Sequence, residues 1–147
     1  MKESLNVITP YVKGATAARG KVVIATVEGD MHDLGKNIVT SLLRANGFDV
    51  LDLGVNVPTE RIVNAVKEFR PDVVGMSALL SITMAKMQEV IEALKREGLR
   101  NNVKIIVGGA ALTPEFAQMI GADHKAANAL EGVKKCNEWV SQKVRRG

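Results

Sequence analysis

From residue 21 onward, short continuous apolar runs alternate with stretches in which apolar residues recur every three or four positions. Residues 21–27 (KVVIATV) predict a buried strand. Ile38, Val39, Leu42 and Leu43 then recur at helical spacing within 35–46, and Gly47 stops that helix. FDVLDL (48–53) predicts a second strand. Thr59 is the expected N-cap of a helix that puts Ile62, Val63, Val66 and Phe69 on one face and ends at Pro71. DVVGMS (72–77) predicts a third strand, and Met84, Met87, Val90, Ile91 and Leu94 a third amphipathic helix closed by Gly98. VKIIV (103–107) predicts a fourth strand. Thr113-Pro114-Glu115 has the form of a helix start, with a capping hydroxyl and proline at the first helical position, and Gly121 ends that helix. A short fifth strand is expected near 123–126, then a last helix over about 128–145 with Leu130, Val133, Val140 and Val144 inward.

Strands that are apolar throughout, separated by amphipathic helices, predict a parallel sheet covered on both faces. With right-handed crossovers, five strands fit a flavodoxin-like, doubly wound α/β sheet in the order 2-1-3-4-5. Residues 21–147 are then one Rossmann-like domain. Residues 1–20 fall outside the alternation, and Leu5, Val7, Ile8, Tyr11 and Val12 suggest a linker or the end of a helical cap. Sheets of this kind bind ligands beyond the C-terminal strand edge, where the strand order reverses. That point lies between strands one and three, which directs attention to the loops 28–35 and 77–83.

The chain's 147 residues, 46% apolar and 24% charged, are enough to bury a core without a disulfide or metal staple. Aromatics make up only 3%, too few and too scattered for a platform that stacks nucleic-acid bases. The net charge is +4, and most of it lies in residues 131–147, where Lys134, Lys135, Lys143, Arg145 and Arg146 outnumber Glu131 and Glu138. That pattern suits the solvated face of a terminal helix better than a docking patch. Cys136 is the only cysteine, which excludes an internal disulfide, a cysteine zinc site and a C-x-x-C pair, and suits a cytoplasmic setting. No apolar run approaches a membrane span, so no membrane association is expected.

The first loop reads Glu28-Gly29-Asp30-Met31-His32-Asp33-Leu34-Gly35-Lys36 and lacks both phosphate-loop glycine patterns. His32 is one of two histidines in the chain, and a histidine at a binding edge is a candidate metal ligand or acid–base group. Asp30, two residues earlier, can fix its tautomer through the second ring nitrogen. The second loop offers the hydroxyls of Ser77, Ser81 and Thr83 around Leu79 and Leu80, residue types that otherwise cap helices. After strand four come Gly108-Gly109-Ala110, which suggest either a ligand pressed against backbone or a plain loop glycine pair.

Taken together, Asp30-x-His32-x-x-Gly35, then 41 residues, Ser77-x-Leu79, then 28 residues, and Gly108-Gly109 resemble the cobamide-binding signature of corrinoid methyltransferase proteins. That family includes the cobalamin module of methionine synthase and the corrinoid proteins of methylotrophic and acetogenic methyl transfer. The resemblance spans roughly residues 5–123, and VVIATVEGDMHDLGKNIV, DLGVNVP and SALLSITM are typical of its methyl-transfer branch. It implies a cobamide bound base-off and His-on, with His32 as cobalt ligand and a relay of Asp30, His32 and Thr83 matching axial basicity to the cobalt oxidation state. It further implies that the nucleotide tail runs beside Ser77, Leu79, Gly108 and Gly109, and that Met31, Asp33, Leu34, Gly35, Ser81 and Ala110 also contact the cofactor. Family members often carry a glycine–aromatic pair after Gly-Ala-Asp, whereas here His124-Lys125 follow Gly121-Ala122-Asp123.

The function implied is a methyl-carrying corrinoid subunit, not a complete enzyme alone. It would serve methyl-donor and methyl-acceptor methyltransferases, with a reductive activase as a further partner. The competing expectations are the cobalamin-binding subunit of an adenosylcobalamin-dependent mutase, a cobamide-sensing module, and a flavodoxin-like domain without cobamide.

Overall fold

The computed structural model describes residues 20–31, 34–78, 80–109 and 112–146. Five strands, β1 (Lys21–Thr26), β2 (Asp49–Asp52), β3 (Val73–Ser77), β4 (Lys104–Gly108) and β5 (His124–Lys125), alternate with α1 (Leu34–Ala45), α2 (Thr59–Phe69), α3 (Ser81–Arg96), α4 (Pro114–Ile120) and α5 (Ala129–Arg146). All pairings are parallel and the order is β2-β1-β3-β4-β5, as expected from the alternation. The expected linker at 1–20 lies, but for Gly20, outside the described residues.

The sheet separates two apolar layers. Val27, Val74, Met76, Ile105 and Val107 face α2, α3 and α4, whose Ile62, Val66, Met87, Ile91 and Leu94 complete the larger core. Val22, Ile24, Val73 and Ile106 face the side on which α1 contributes Leu43 and α5 contributes Val133, Cys136 and Val140. Strand alternation therefore sends the even-numbered residues near the ends of β1 and β4, and the odd-numbered ones of β3, toward α1 and α5.

Local signals held where a side chain or glycine dictates geometry. Thr113 caps α4 by accepting the Phe116 N–H at 3.1 Å, and Gly121 ends it at φ 91°. Elsewhere packing overrode them. Pro58, not Thr59, is the N-cap of α2; Thr59 is already helical, and its hydroxyl reaches Glu89 instead. α3 starts at Ser81, inside the stretch expected to be loop. Ile38 and Leu130 were expected inward but are 45% and 71% exposed. On α5 the inward stripe is Ala129, Gly132, Val133, Cys136 and Val140, and Leu130 lies round the helix from the centre of that stripe, in solvent. The Val144 side chain lies outside the described residues.

β5 has two residues and depends on side chains to stay in place. His124 donates through Nε2 to both carboxylate oxygens of Glu131, at 2.9 and 2.8 Å, and stands edge-on to Trp139. The Ala127 N–H donates to the same carboxylate at 3.0 Å. Burial pushes the Glu131 carboxyl up, but those two hydrogen bonds and the charges of His124 and Lys135 outweigh it and hold it below its ordinary value. A lowered carboxyl contributes stability that is complete above its unfolded pKa and disappears as pH falls through the folded one. Glu131→Gln is therefore expected to lower the unfolding free energy near neutrality by about 0.5–1 kcal/mol for a partly exposed pair, read as a lower urea midpoint. The difference from wild type should close on acidification below the ordinary carboxylate range.

Candidate functional site

The C-terminal ends of β1 and β3 separate two loops, and one buried carboxylate ties them together. Val27–Asp30 is a tight turn in which the Asp30 N–H donates to Val27 O at 3.1 Å, and Gly29 takes φ 89° at its third position. The turn buries Asp30 completely. Its Oδ2 accepts from the Thr83 hydroxyl at 2.9 Å and from the Leu80 N–H at 3.3 Å. An ionised carboxylate in that position needs donors, and the N-terminus of α3 supplies them together with a favourable helix dipole. The Thr83 hydroxyl, itself buried, has a second acceptor in Leu80 O at 2.8 Å. Its single hydrogen thus has two alternative partners.

A second clasp comes from the β2–α2 loop. Asn56 stands at φ 52°, a left-handed conformation that asparagine tolerates better than most residues. Its Oδ1 accepts the Gly29 N–H at 2.8 Å and its own N–H donates to Asp30 O at 2.9 Å. Below it, Lys36 is buried and donates to both oxygens of Asp52 at 2.9 and 2.8 Å and to Asn37 at 2.7 Å. Asp52 also accepts the Gly54 N–H at 2.9 Å. These contacts fix the start of α1 and the turn before it to β2.

Beside this clasp a cavity of about 430 Å³ runs between α1, α5 and the sheet. Its floor consists of the registered row Ile24–Gly75–Ile106 and, nearer the strand ends, the pair Ser77–Gly108. Thr26 and Ser77 share a hydrogen bond at 2.9 Å. The walls bear small residues, Gly35 on α1 and Ala126, Ala129 and Gly132 toward α5, so the space exists because side chains are missing. The two glycines after β4 differ. A Cβ on Gly108 would meet nothing within 4 Å, whereas on Gly109 it would fall 1.9 Å from Ala78 O, at φ 150°. Gly109 lines the cavity but has a backbone reason of its own. A large residue would therefore obstruct a ligand more than the fold at Gly108, and the fold itself at Gly109.

Of the residues singled out from sequence, Asp30 and Thr83 come together, and Gly35, Ser77, Gly108 and Gly109 line the cavity. Met31 stands 65% exposed at the rim, with Leu80 and Ile82 also exposed on the facing loop and helix. His32, Asp33, Leu79 and Ala110, and the side chains of Leu34 and Ser81, lie outside the described residues. Thr26, Lys36, Asp52, Asn56 and Gly75 were not anticipated. A glycine in the middle of a buried strand was the one available signal among them. Among the described residues no group of three or more His, Cys, Asp or Glu side chains could hold a metal ion, and no helix is long and apolar enough to cross a membrane.

Comparison with known proteins agrees with this geometry. The model of the B12 binding domain matches residues 20–134. Dimethylamine corrinoid protein 1 of Methanosarcina acetivorans is 48% identical over 127 residues, which is 86% of this chain and 60% of that protein. The crystal structure of a cobalamin-binding protein from Desulfitobacterium hafniense superposes with a TM-score of 0.81 at 49% identity, covering 82% of this chain and 59% of the other. The methanol:cobalamin methyltransferase complex MtaBC from Methanosarcina barkeri gives 0.82 at 36% identity, covering 87% and 49%. The chain thus spans about 60% of the length of the dimethylamine corrinoid protein. A small-walled cavity at the strand-order reversal, a buried carboxylate two residues before His32 and an apolar rim all suit a flat macrocycle with a nucleotide tail. The chain belongs to the B12-binding domain family, and its cofactor is a cobamide.

Proposed function

We propose that the chain is the cobamide-carrying part of a methylamine-type methyl-transfer system, binding the cofactor base-off with His32 as the protein ligand to cobalt. The observation that carries this is the buried Asp30–Thr83 hydrogen bond, which, two residues before His32, ties the loop after β1 to the start of α3. When bound, the cobamide supplies a cobalt centre able to accept and release a methyl group. Asp30 orients His32 and stabilises it as a donor. Thr83 lets Asp30 exist in two forms. Toward an ionised carboxylate its hydroxyl donates to Oδ2; when Oδ2 carries a proton, that proton goes to Oγ1 and the Thr83 hydrogen turns to Leu80 O. Either way no polar atom in the trio is left unpaired. Met31, Leu80 and Ile82 give the macrocycle an apolar seat, and Ser77 and Gly108 border the entry of the tail. The methyl donor's and acceptor's methyltransferases, and a reductive activase, are the partners this role requires.

His32→Ala should still bind cobamide, because the cavity retains the tail, but the cobalt(II) form should lose the splitting from a protein nitrogen in its electron paramagnetic resonance spectrum. An unchanged splitting would overturn the ligand assignment.

A further inference from the structure

We infer that the deep end of the cavity selects the cofactor's lower base by polarity, taking an apolar fused-ring or phenolic base in preference to adenine. This rests on the cobamide reading above. From the level of Ser77 and Gly108 down to Val22 the floor covers four residues of strand, about 13 Å. α5 runs against the strands, so Cys136, seven residues beyond Ala129, lies about 10 Å deeper than the cavity mouth. The other lining residues with polar side chains, Ser77, Lys36, Lys125 and Asn128, belong to the mouth: Ser77 ends β3, Lys36 stands in the first turn of α1, Lys125 ends β5, and Asn128 precedes α5.

Below them the lining is Val22, Ile24, Leu43, Ile106 and the bare backbone of Gly75, with Cys136 the one polar side chain. That thiol is 2% exposed, and burial pushes its pKa up to about 12. It therefore stays neutral, a weak donor and a weaker acceptor. The floor's strands have their backbone groups in the β1–β3 and β3–β4 ladders. An adenine here would surrender the water on its exocyclic amine and ring nitrogens without gaining partners. A benzimidazole has the same fused ring skeleton and no amine, so shape is matched and polarity alone discriminates.

The test is equilibrium dialysis of the chain against benzimidazolyl cobamide and adeninyl cobamide, with cobinamide as the tail-free control. Adeninyl cobamide should bind about tenfold to a hundredfold more weakly, the size expected for a buried group left unpaired. In Cys136→Ser, whose hydroxyl can accept from the amine, the ratio should narrow. Equal affinities, tighter adeninyl binding, or a ratio unchanged in Cys136→Ser would overturn the selection while leaving cobamide binding intact. Failure of both cobamides to bind would overturn the selection and the proposed function together.

Discussion

Gly108→Leu is expected to fold normally and to lose complete cobamides by about a hundredfold, with little change for cobinamide. Nothing within 4 Å would meet the new Cβ, and the side chain would extend over the floor beside Ser77. Overfilling a space of this kind costs on the order of 3 kcal/mol, and here the ligand bears that cost, since the fold leaves the space empty. Gly109→Ala should behave in the opposite way. Its methyl group would sit inside the van der Waals radius of Ala78 O, at a φ that residues with a side chain rarely adopt. Adjacent strand ends would have to separate, and a loss of about 3 kcal/mol of stability is expected even without ligand. Urea unfolding and dialysis of the two variants side by side check both statements. Comparable losses of folding stability in the two would mean that the neighbouring glycines do the same job.

Asp52→Ala is expected to destabilise the ligand-free chain by about 2–3 kcal/mol, because it leaves the Lys36 ammonium buried opposite a hole. Lys36 has 3% of its side chain exposed and Asp52 24%, so water can reach the carboxylate side and the loss should fall below that of a fully enclosed pair. Removing both charges with Lys36→Met and Asp52→Leu should recover most of the stability, since the pair's attraction largely offsets its desolvation. Chemical denaturation of Lys36→Met, Asp52→Leu and the variant carrying both forms the cycle that checks this. A double variant as unstable as the sum of the singles would show that the two residues act independently.

The strand order, and with it the position of the loops after β1 and β3, was legible because β1, β3 and β4 are apolar throughout and the helices between them are amphipathic. Those patterns reflect burial, and burial decides topology. What escaped depends on single contacts that leave no periodic trace. Leu130 is three residues from Val133 and so looks inward, but the face α5 buries is centred on the small residues Ala129 and Gly132 and on Cys136, which leaves Leu130 outside it. Lys36 and Asp52 lie 16 residues apart on different elements, and each alone resembles a surface charge. Asn56 acts through a left-handed backbone that its neighbours do not announce. Gly108 and Gly109 are identical in sequence and differ only in where their absent side chains would point.

The two-residue β5 has a consequence for the ligand-free chain. An edge strand this short, paired on one side only, belongs to the part of a domain that opens locally at low free energy, and amides of β5 and the first turns of α5 should exchange their hydrogens well before those of β3. The cavity lies between α1 and α5, the first and last helices of the described chain. A tail lodged there touches both ends of that sequence, so cofactor loading acts by mass action as a non-covalent staple across the fold. The loaded domain closes the edge that the free domain lets fray, and the protection gained at β5 would report occupancy from the side of the protein.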